Sequence, residues 1–209
     1  MTHTNHRTGS IESLSKDYVV FMYAAKGINA QGVGPKLQEF LRLALKYKPV
    51  NIGSPTNGNM YTTSVEKLLD GLANSTKVYI VFDNREKAVA FIKDAKDASL
   101  GISVIVSGLF DEVGKICEEI GITPHTAQCS LGLWGRTELL PPPEILDITT
   151  MCGHALVSTN LVKCMANEVK SGRTSVEKAA ATLSKPCVCG VFNTKRAEEL
   201  LKSYIEVGG

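Results

Sequence analysis

The chain has little of what marks several protein classes. Its 209 residues include no apolar run long enough to cross a bilayer. Aromatic residues make up 6% of the chain, with a single tryptophan, and the formal net charge is only +2. There is no basic helix and no ladder of aromatic residues, so the sequence predicts neither a membrane protein nor a nucleic-acid-binding one.

The first residues also lack the apolar core of a secretory signal peptide. Residues 1–16 are polar, and we expect them to form a flexible N-terminal tail on a cytoplasmic protein. In a reducing cytosol, six cysteines are not expected to form disulfides. Their presence therefore calls for packing, catalysis or metal binding as an explanation.

Short apolar runs alternate with helical patterns through the first two thirds of the chain. Near-continuous apolar strands that alternate with helices are typical of parallel sheets covered on both faces. The predicted fold class is therefore α/β, with a mostly parallel five-stranded sheet and helices on both faces. The strands are predicted at 18–23, 50–52, 78–82, 102–106 and about 126–133.

A run of three prolines, Pro141 to Pro143, divides the chain, because each ring fixes its own backbone torsion. Beyond it the pattern is helical only, with the cysteine motifs at the joints between predicted helices. We therefore predict the tail, an α/β domain over 17–140, and a small all-helical C-terminal subdomain over 141–209. Its helices are predicted at 143–150, 159–171, 175–184 and 194–204.

Three of the cysteines lie on apolar stripes, which indicates core positions. Cys117 follows the helical spacing of its apolar neighbours, and Cys164 lies in the middle of a predicted helix. Cys129 alternates with apolar residues on one side of the last predicted strand. A free cysteine in such a position behaves as a small hydrophobic residue.

The other three cysteines fit no stripe. Cys152 is followed two residues later by His154, and Cys187 and Cys189 are separated by one residue. Both motifs precede predicted helix N-termini, where free amide groups and the helix dipole stabilise thiolates. Thiolate and imidazole together favour zinc or iron–sulfur clusters over hard cations. These four residues therefore predict a metal site.

Two cofactors remain open for that site. A 4Fe–4S cluster, which we favour, would be held by Cys152, Cys187 and Cys189, with one iron left without a cysteine. Zinc would take His154 as a fourth ligand in a closed tetrahedral site. Structural zinc pairs are usually separated by two or more residues, however, and here each pair is separated by one. Paired buried thiols without metal are the third alternative.

Polar residues elsewhere are candidates for contacts with a substrate. A glycine loop from Gly27 to Gly34 precedes Lys36 at a predicted helix start, a position that can bind phosphate, although the spacing matches no nucleotide motif. Asn57 and Asn59 lie in a polar loop expected at the same edge of a parallel sheet. We therefore assign Lys36, Asn57 and Asn59 to substrate binding.

The segment before the prolines holds the last two candidates. Trp134 lies between Gly132 and Gly135 and is assigned to substrate binding, while Arg136 can bind a carboxylate or phosphate. Arg136 and His154 are the predicted catalytic residues, with His154 as acid–base group or metal ligand. A nucleophilic cysteine with His154 or His125 as base lacks a third residue to orient the base.

The leading functional hypothesis is an enzyme of cytosolic anaerobic metabolism. Its cluster would act as a Lewis acid in a lyase, hydratase or sulfur-transfer reaction on a small anionic molecule. One alternative is a non-catalytic zinc or cluster module beside an α/β domain that binds a ligand or protein. Another is an electron-transfer or redox-sensing protein. A protein partner or a homo-oligomer is compatible with all three.

Overall fold

A computed structural model describes residues 4–208 and contains one five-stranded sheet within that range. The strand order is β3-β2-β4-β1-β5, and every neighbouring pair is antiparallel. The strands are β1 (Tyr18–Tyr23), β2 (Asn51–Ser54), β3 (Gly58–Asn59), β4 (Lys77–Phe82) and β5 (Ser103–Ser107).

The prediction of a mostly parallel sheet is wrong, and the topology gives the reason. β1 and β2 do run in the same direction, since both are antiparallel to β4, but β4 lies between them. In the same way β4 and β5 are parallel to each other and are separated by β1. Each strand–helix–strand unit is therefore split by a strand of the other unit, as in the β-α-β-β-α-β connectivity of ferredoxin-like sheets. Local periodicity is identical for split and unsplit units.

Helices surround the sheet, and those predicted after the prolines are present. Two of these helices begin at side-chain caps: Ser158 Oγ accepts a hydrogen bond from the Leu161 amide, and Asn193 Oδ1 accepts one from the Arg196 amide. The helices are α1 (Ile11–Leu14), α2 (Gly34–Leu45), α3 (Val65–Gly71), α4 (Arg85–Ala98), α5 (Phe110–Glu119), α6 (Pro143–Thr149), α7 (Thr159–Lys170), α8 (Val176–Ser184) and α9 (Thr194–Glu206), with 3-10 turns at Leu72–Asn74 and Thr137–Leu139.

Side chains alternate along each strand, so the sheet has two apolar faces. On the first face, Val20 and Ile80 pack with Phe40 of α2 and Phe91 of α4 in one buried apolar cluster. The Phe40 and Phe91 rings meet edge to face, with centroids 4.9 Å apart. Hydrophobic burial alone accounts for the closure of this face.

The second face is covered by α6 to α9. Phe21 of β1 and Tyr79 of β4 belong to one buried cluster with apolar residues of these helices, and that cluster also holds the three cysteines predicted as ligands. The ring centroids of Phe21 and Tyr79 are 5.0 Å apart. The C-terminal helices therefore form the second layer on the same sheet, which brings the cysteine motifs against its strands.

No strand forms over 126–133, in a connection from α5 to α6 that is exposed over most of its length. The prediction that Cys129 is a core residue is therefore wrong, because no sheet covers it. Cys164 is also exposed: it stands two residues after the buried Val162, and two residues along a helix lead to the opposite side. Cys117 is buried, as predicted.

Residues near the beginning of the chain contact α9. Asp17 is buried and forms ion pairs with Arg7 and with Arg196, which is 1% exposed. Burial lowers the pKa of Arg196, and the Asp17 carboxylate opposes that shift. Asn193 Nδ2 also donates to Asp17 at 3.1 Å. The proposed boundaries at 16 and 140 stay predictions. Within residues 4–208, none of the helices has the length and apolarity needed to span a bilayer.

Candidate functional site

Cys152, Cys187, Cys189 and His154 come together on the second face. The sulfurs of Cys187 and Cys189 are 4.0 Å apart, and Cys189 Sγ lies 3.9 Å from His154 Nδ1. The Cys152 thiol is hydrogen-bonded to Cys187. The α6–α7 joint and the α8–α9 joint therefore meet in space. The three thiols are at most 1% exposed, whereas His154 is exposed.

The turn that carries Cys187 and Cys189 is fixed by Asn59 of β3. The Asn59 side-chain amide is buried and donates to the carbonyl oxygens of Cys187 at 2.9 Å and Ser184 at 3.1 Å. The Cys187 carbonyl also accepts from the Gly190 amide at 2.9 Å, which closes the turn. Asn59, predicted to bind substrate, thus holds the backbone beneath the thiols.

The same turn packs directly on the backbone of β2. A Cβ at Gly53 would lie 2.8 Å from the Cys189 carbonyl oxygen, and a Cβ at Gly190 would lie 2.6 Å from the Gly53 nitrogen. Gly190 also has a φ of 75°, a conformation that side chains disfavour. Only glycine at both positions allows the cysteine turn to approach the strand this closely.

A second asparagine, Asn51 of β2, is hydrogen-bonded to both ends of the joint between α8 and α9. Asn51 Nδ2 donates to Ser184 Oγ at 2.9 Å and to the Phe192 carbonyl at 2.8 Å. The carbonyl of Val191 accepts a hydrogen bond from the Arg7 guanidinium. The thiol-bearing joint is therefore anchored by sheet, helix and N-terminal residues together, so its geometry is preorganised.

The three thiols form a directed chain of hydrogen bonds. Donation to Cys187 and then burial raise the pKa of Cys152. The bond that Cys187 accepts from Cys152 lowers its pKa, but its own donation to Cys189 and its burial raise it to about 12. Donation from Cys187 lowers the pKa of Cys189. Cys189, which faces His154, is therefore the first thiol of the three to ionise.

Backbone amides also point at the sulfurs. The amides of Leu156 and His154 donate to Cys152, and the amide of Val191 donates to both Cys187 and Cys189. Such bonds stabilise a negatively charged sulfur, the form in which cysteine binds metals. Burial raises the pKa of Tyr79, and the charge of nearby Cys189 adds to that rise. The amides therefore favour charge on sulfur, whereas burial and donation to the neighbouring thiol oppose it at Cys152 and Cys187.

In their present positions, the three cysteines and His154 do not form a complete metal site. In the part of the chain that is described, residues 4–208, no group of three or more His, Cys, Asp or Glu side chains is placed to hold a metal ion. The contacts run in a line from Cys152 through Cys187 and Cys189 to His154. A shared ion would require the side chains to turn toward a common centre.

The remaining predicted site residues lie apart from the thiols. Lys36 is exposed on α2, which packs on the first face, and Asn57 lies against Gly71. Trp134 is 81% exposed, and Arg136 pairs with Glu138 at the surface at 2.9 Å. Of the predicted catalytic pair Arg136 and His154, only His154 lies beside the thiols.

Several residues of the site carry no motif and were missed from the sequence. Asn51, Gly53 and Tyr79 lie on β2 and β4, far along the chain from the cysteines. A glycine inside a strand often marks close approach of another backbone, so Gly53 offered a signal. Asn51 and Tyr79 offered none, because their partners are set by how the C-terminal layer packs on the sheet.

Comparison with known proteins identifies no relative: no model of a protein family matches the chain, and neither a curated protein nor a solved structure matches it.

Proposed function

We propose that the chain is a metal-binding protein in which Cys152, Cys187, Cys189 and His154 hold one tetrahedral ion, with zinc as the preferred metal. The supporting observation is the meeting of four soft donors from two distant joints, with backbone amides directed at the buried sulfurs. Three sulfurs and one imidazole nitrogen are a donor set that selects zinc.

Two of the donor–donor distances are closer to those around a single ion than to those between the cysteines of a cluster. Sulfurs bonded to one tetrahedral zinc at about 2.3 Å lie about 3.8 Å apart, and sulfur and nitrogen lie about 3.5 Å apart. The corresponding distances here are 4.0 and 3.9 Å. In a 4Fe–4S cube each cysteine binds a different iron, which sets the sulfurs farther apart. The cluster-dependent enzyme stays a prediction that the same experiment tests.

Four protein ligands close a zinc site, so the ion would have a structural role. It would join the α6–α7 joint to the α8–α9 joint and fasten the helical layer to the second face. His154 is the exposed member of the four. It is therefore the ligand most open to exchange with a soft ligand from solution.

Metal analysis of protein purified without chelator and without air tests this function. We expect one zinc per chain, and cobalt loaded in its place should give the intense visible bands of a tetrahedral thiolate site. Cys152→Ser, Cys187→Ser and Cys189→Ser should each lose the metal. Cys129→Ser and Cys164→Ser are matched controls at exposed positions and should keep it.

His154→Ala keeps the test valid if the buried variants fail to fold. Its exposed side chain is not required for packing, so the variant should fold, bind cobalt more weakly and show a changed visible spectrum. Iron with acid-labile sulfide in place of zinc would support the cluster instead. Folded protein that takes up none of zinc, cobalt or iron would overturn the proposal.

A further inference from the structure

The two joints that carry the thiols have the same backbone path. We call residues 152–156 the first loop and residues 187–191 the second loop, so that counterpart positions are 35 residues apart. The amides of Cys152 and Cys187 each donate to the carbonyl three residues earlier, at 3.1 and 3.0 Å. The amide three residues after each cysteine then donates to the carbonyl of that cysteine, at 2.9 Å in both loops. The two loops therefore begin with the same pair of turns.

The agreement continues through the second half of each loop. Ala155 and Gly190 are counterparts, and both have a positive φ, of 55° and 75°. The amides that follow them, those of Leu156 and Val191, donate to the sulfur of the first cysteine in their own loop. A positive φ is uncommon at a residue with a side chain. Ala155 therefore adopts the conformation that turns the next amide toward sulfur, as glycine does in the second loop.

The helices on either side of the loops keep the same register. α6 and α8 end three residues before the first cysteine, at Thr149 and Ser184. α7 and α9 begin after capping residues six positions beyond it, Ser158 and Asn193. Each unit is therefore a helix, a cysteine loop and a second helix. Buried side chains correspond in pairs: Ile148 with Leu183, Val157 with Phe192, Val162 with Ala197, and Ala166 with Leu201.

This repeat is not visible in the sequence. Aligned on the cysteines, residues 143–171 and 178–206 share only that cysteine and the threonine that begins the second helix. The two units agree instead in backbone hydrogen bonds, in helix caps and in which positions are buried. These features depend on classes of residue, such as small, apolar or capping, and several residue types satisfy each class.

The two units also pack against each other as a local two-fold pair. α6 contacts α9 and α7 contacts α8, which is the same contact seen from each unit. Under such symmetry a residue touches its own counterpart only at the axis. Cys152 is hydrogen-bonded to its counterpart Cys187, and His154 Nδ1 lies 3.9 Å from Sγ of its counterpart Cys189. The four donors therefore surround the axis between the two loops.

We infer that the loops are counterpart chelating units and that His154 determines which metal the site prefers, an inference that rests on the proposed metal-binding function. Each loop offers an inner thiol, followed two residues later by an outer donor. His154 is the outer donor of the first loop, where Cys189 is that of the second. One imidazole nitrogen thus replaces the fourth thiolate that full repetition would supply. Imidazole is a harder ligand than thiolate, so it shifts preference away from the softest cations.

The surroundings of the loops explain why the imidazole belongs to the first. The second loop packs on β2, where a Cβ at Gly190 would lie 2.6 Å from the Gly53 nitrogen, and Cys189 is fully buried. Residues 153–156 of the first loop are exposed. The larger ring therefore has space in the first loop, and a smaller thiol at position 154 would meet no obstruction.

Metal competition with full-length His154→Cys protein tests the inference. The variant should keep one ion per chain, and its affinity for cadmium relative to zinc should rise on the order of tenfold, since four thiolates favour the softer ion. Leu156→Cys is the matched control, because it adds a thiol to the same exposed loop at a position whose counterpart, Val191, is not a donor. Its cadmium-to-zinc ratio should match the wild type. An unchanged ratio in His154→Cys, or loss of its ion, would overturn the inference while leaving zinc binding by the wild type intact.

Disulfide formation tests the pairing of the loops without metal. In His154→Cys protein treated with chelator and oxidised with diamide, the introduced thiol should link to Cys189, because the two positions face each other. Peptide mass spectrometry identifies the linked positions. Leu156→Cys should not link to Cys189, and a link from position 154 to Cys152 or Cys187 instead would contradict the pairing. Wild-type protein that binds no metal would overturn both the proposed function and the role of His154, and the disulfide would then report the repeat alone.

Discussion

The two faces of the sheet bury similar strands by different means. On the first face, aliphatic and aromatic side chains of the sheet, α2 and α4 suffice. The second face adds three thiols to such packing, and Asn51 and Asn59 tie the thiol-bearing joint to the sheet. Among the described residues, the buried cluster of the first face contains no cysteine. The difference is that the second face holds a group of contacting thiols, on which the proposed metal site rests.

Among substitutions that distinguish the two faces, Phe91→Ala is expected to have the largest effect on stability. Phe91 is fully buried on the first face, and its truncation should lower the free energy of unfolding by about 3–5 kcal/mol. Metal content should not change, because the thiols lie on the other face. Denaturant unfolding with metal analysis measures both. Phe110→Ala, at a position 65% exposed, is the control and should cost less than about 0.5 kcal/mol.

Loss of the buried ion pair between Arg196 and Asp17 should give the next largest effect on stability. Arg196→Met leaves the buried Asp17 carboxylate with Arg7 as its remaining cation, so we expect a loss of about 3 kcal/mol. Urea unfolding provides the measurement. Asp17→Asn in the same chain should add to the loss, since it leaves the buried Arg7 guanidinium without its carboxylate. The exposed pair of Arg173 and Glu168 is the comparison, and Arg173→Met should cost less than about 0.5 kcal/mol.

Asn59→Ala sharpens the comparison at the site itself. It removes the donor to the carbonyls of Ser184 and Cys187 and should cost about 1–3 kcal/mol. The cysteine turn should also loosen, so zinc affinity measured by competition with a chelating dye should fall. Ser64→Ala removes the cap of α3, which packs on the first face, and should cost about 1 kcal/mol without a change in zinc affinity. Equal effects on affinity would show that Asn59 does not position the thiols.

The smallest expected effect is a pH dependence of the free energy of unfolding that comes from Tyr18 on the first face. Burial, with a contribution from the Glu112 charge, raises the pKa of Tyr18. The folded chain therefore keeps this proton at a pH where the unfolded chain has lost it. The contribution of Tyr18 is complete below about pH 10 and is lost as the pH rises above that value, with a slope of at most about 1.4 kcal/mol per pH unit. Unfolding at several alkaline pH values should show a weaker pH dependence for Tyr18→Phe than for the wild type.

Local features of the fold were largely predictable. The strand of β1 and the caps at Ser158 and Asn193 follow from side-chain periodicity and from polar groups that reach backbone amides a few residues away. The strand direction was not predictable, because a split strand–helix–strand unit has the same pattern as an unsplit one. The segment 126–133 shows the same limit: its alternation is that of a strand, yet within residues 4–208 it belongs to no strand of the sheet.

The candidate site was likewise predictable only in part. Cys152, Cys187, Cys189 and His154 stood out in the sequence, because their types and spacing fit no packing stripe. Their mutual contacts, and the tie from Asn59 to the cysteine turn, exist only once the C-terminal helices cover the second face. The sequence by itself thus determined most of the local elements and singled out the four candidate ligands, since both depend on neighbours within a few positions. The tertiary structure alone decided the antiparallel order, the exposure of Cys129 and Cys164, and the meeting of the two joints, since these depend on contacts between residues far apart in the chain.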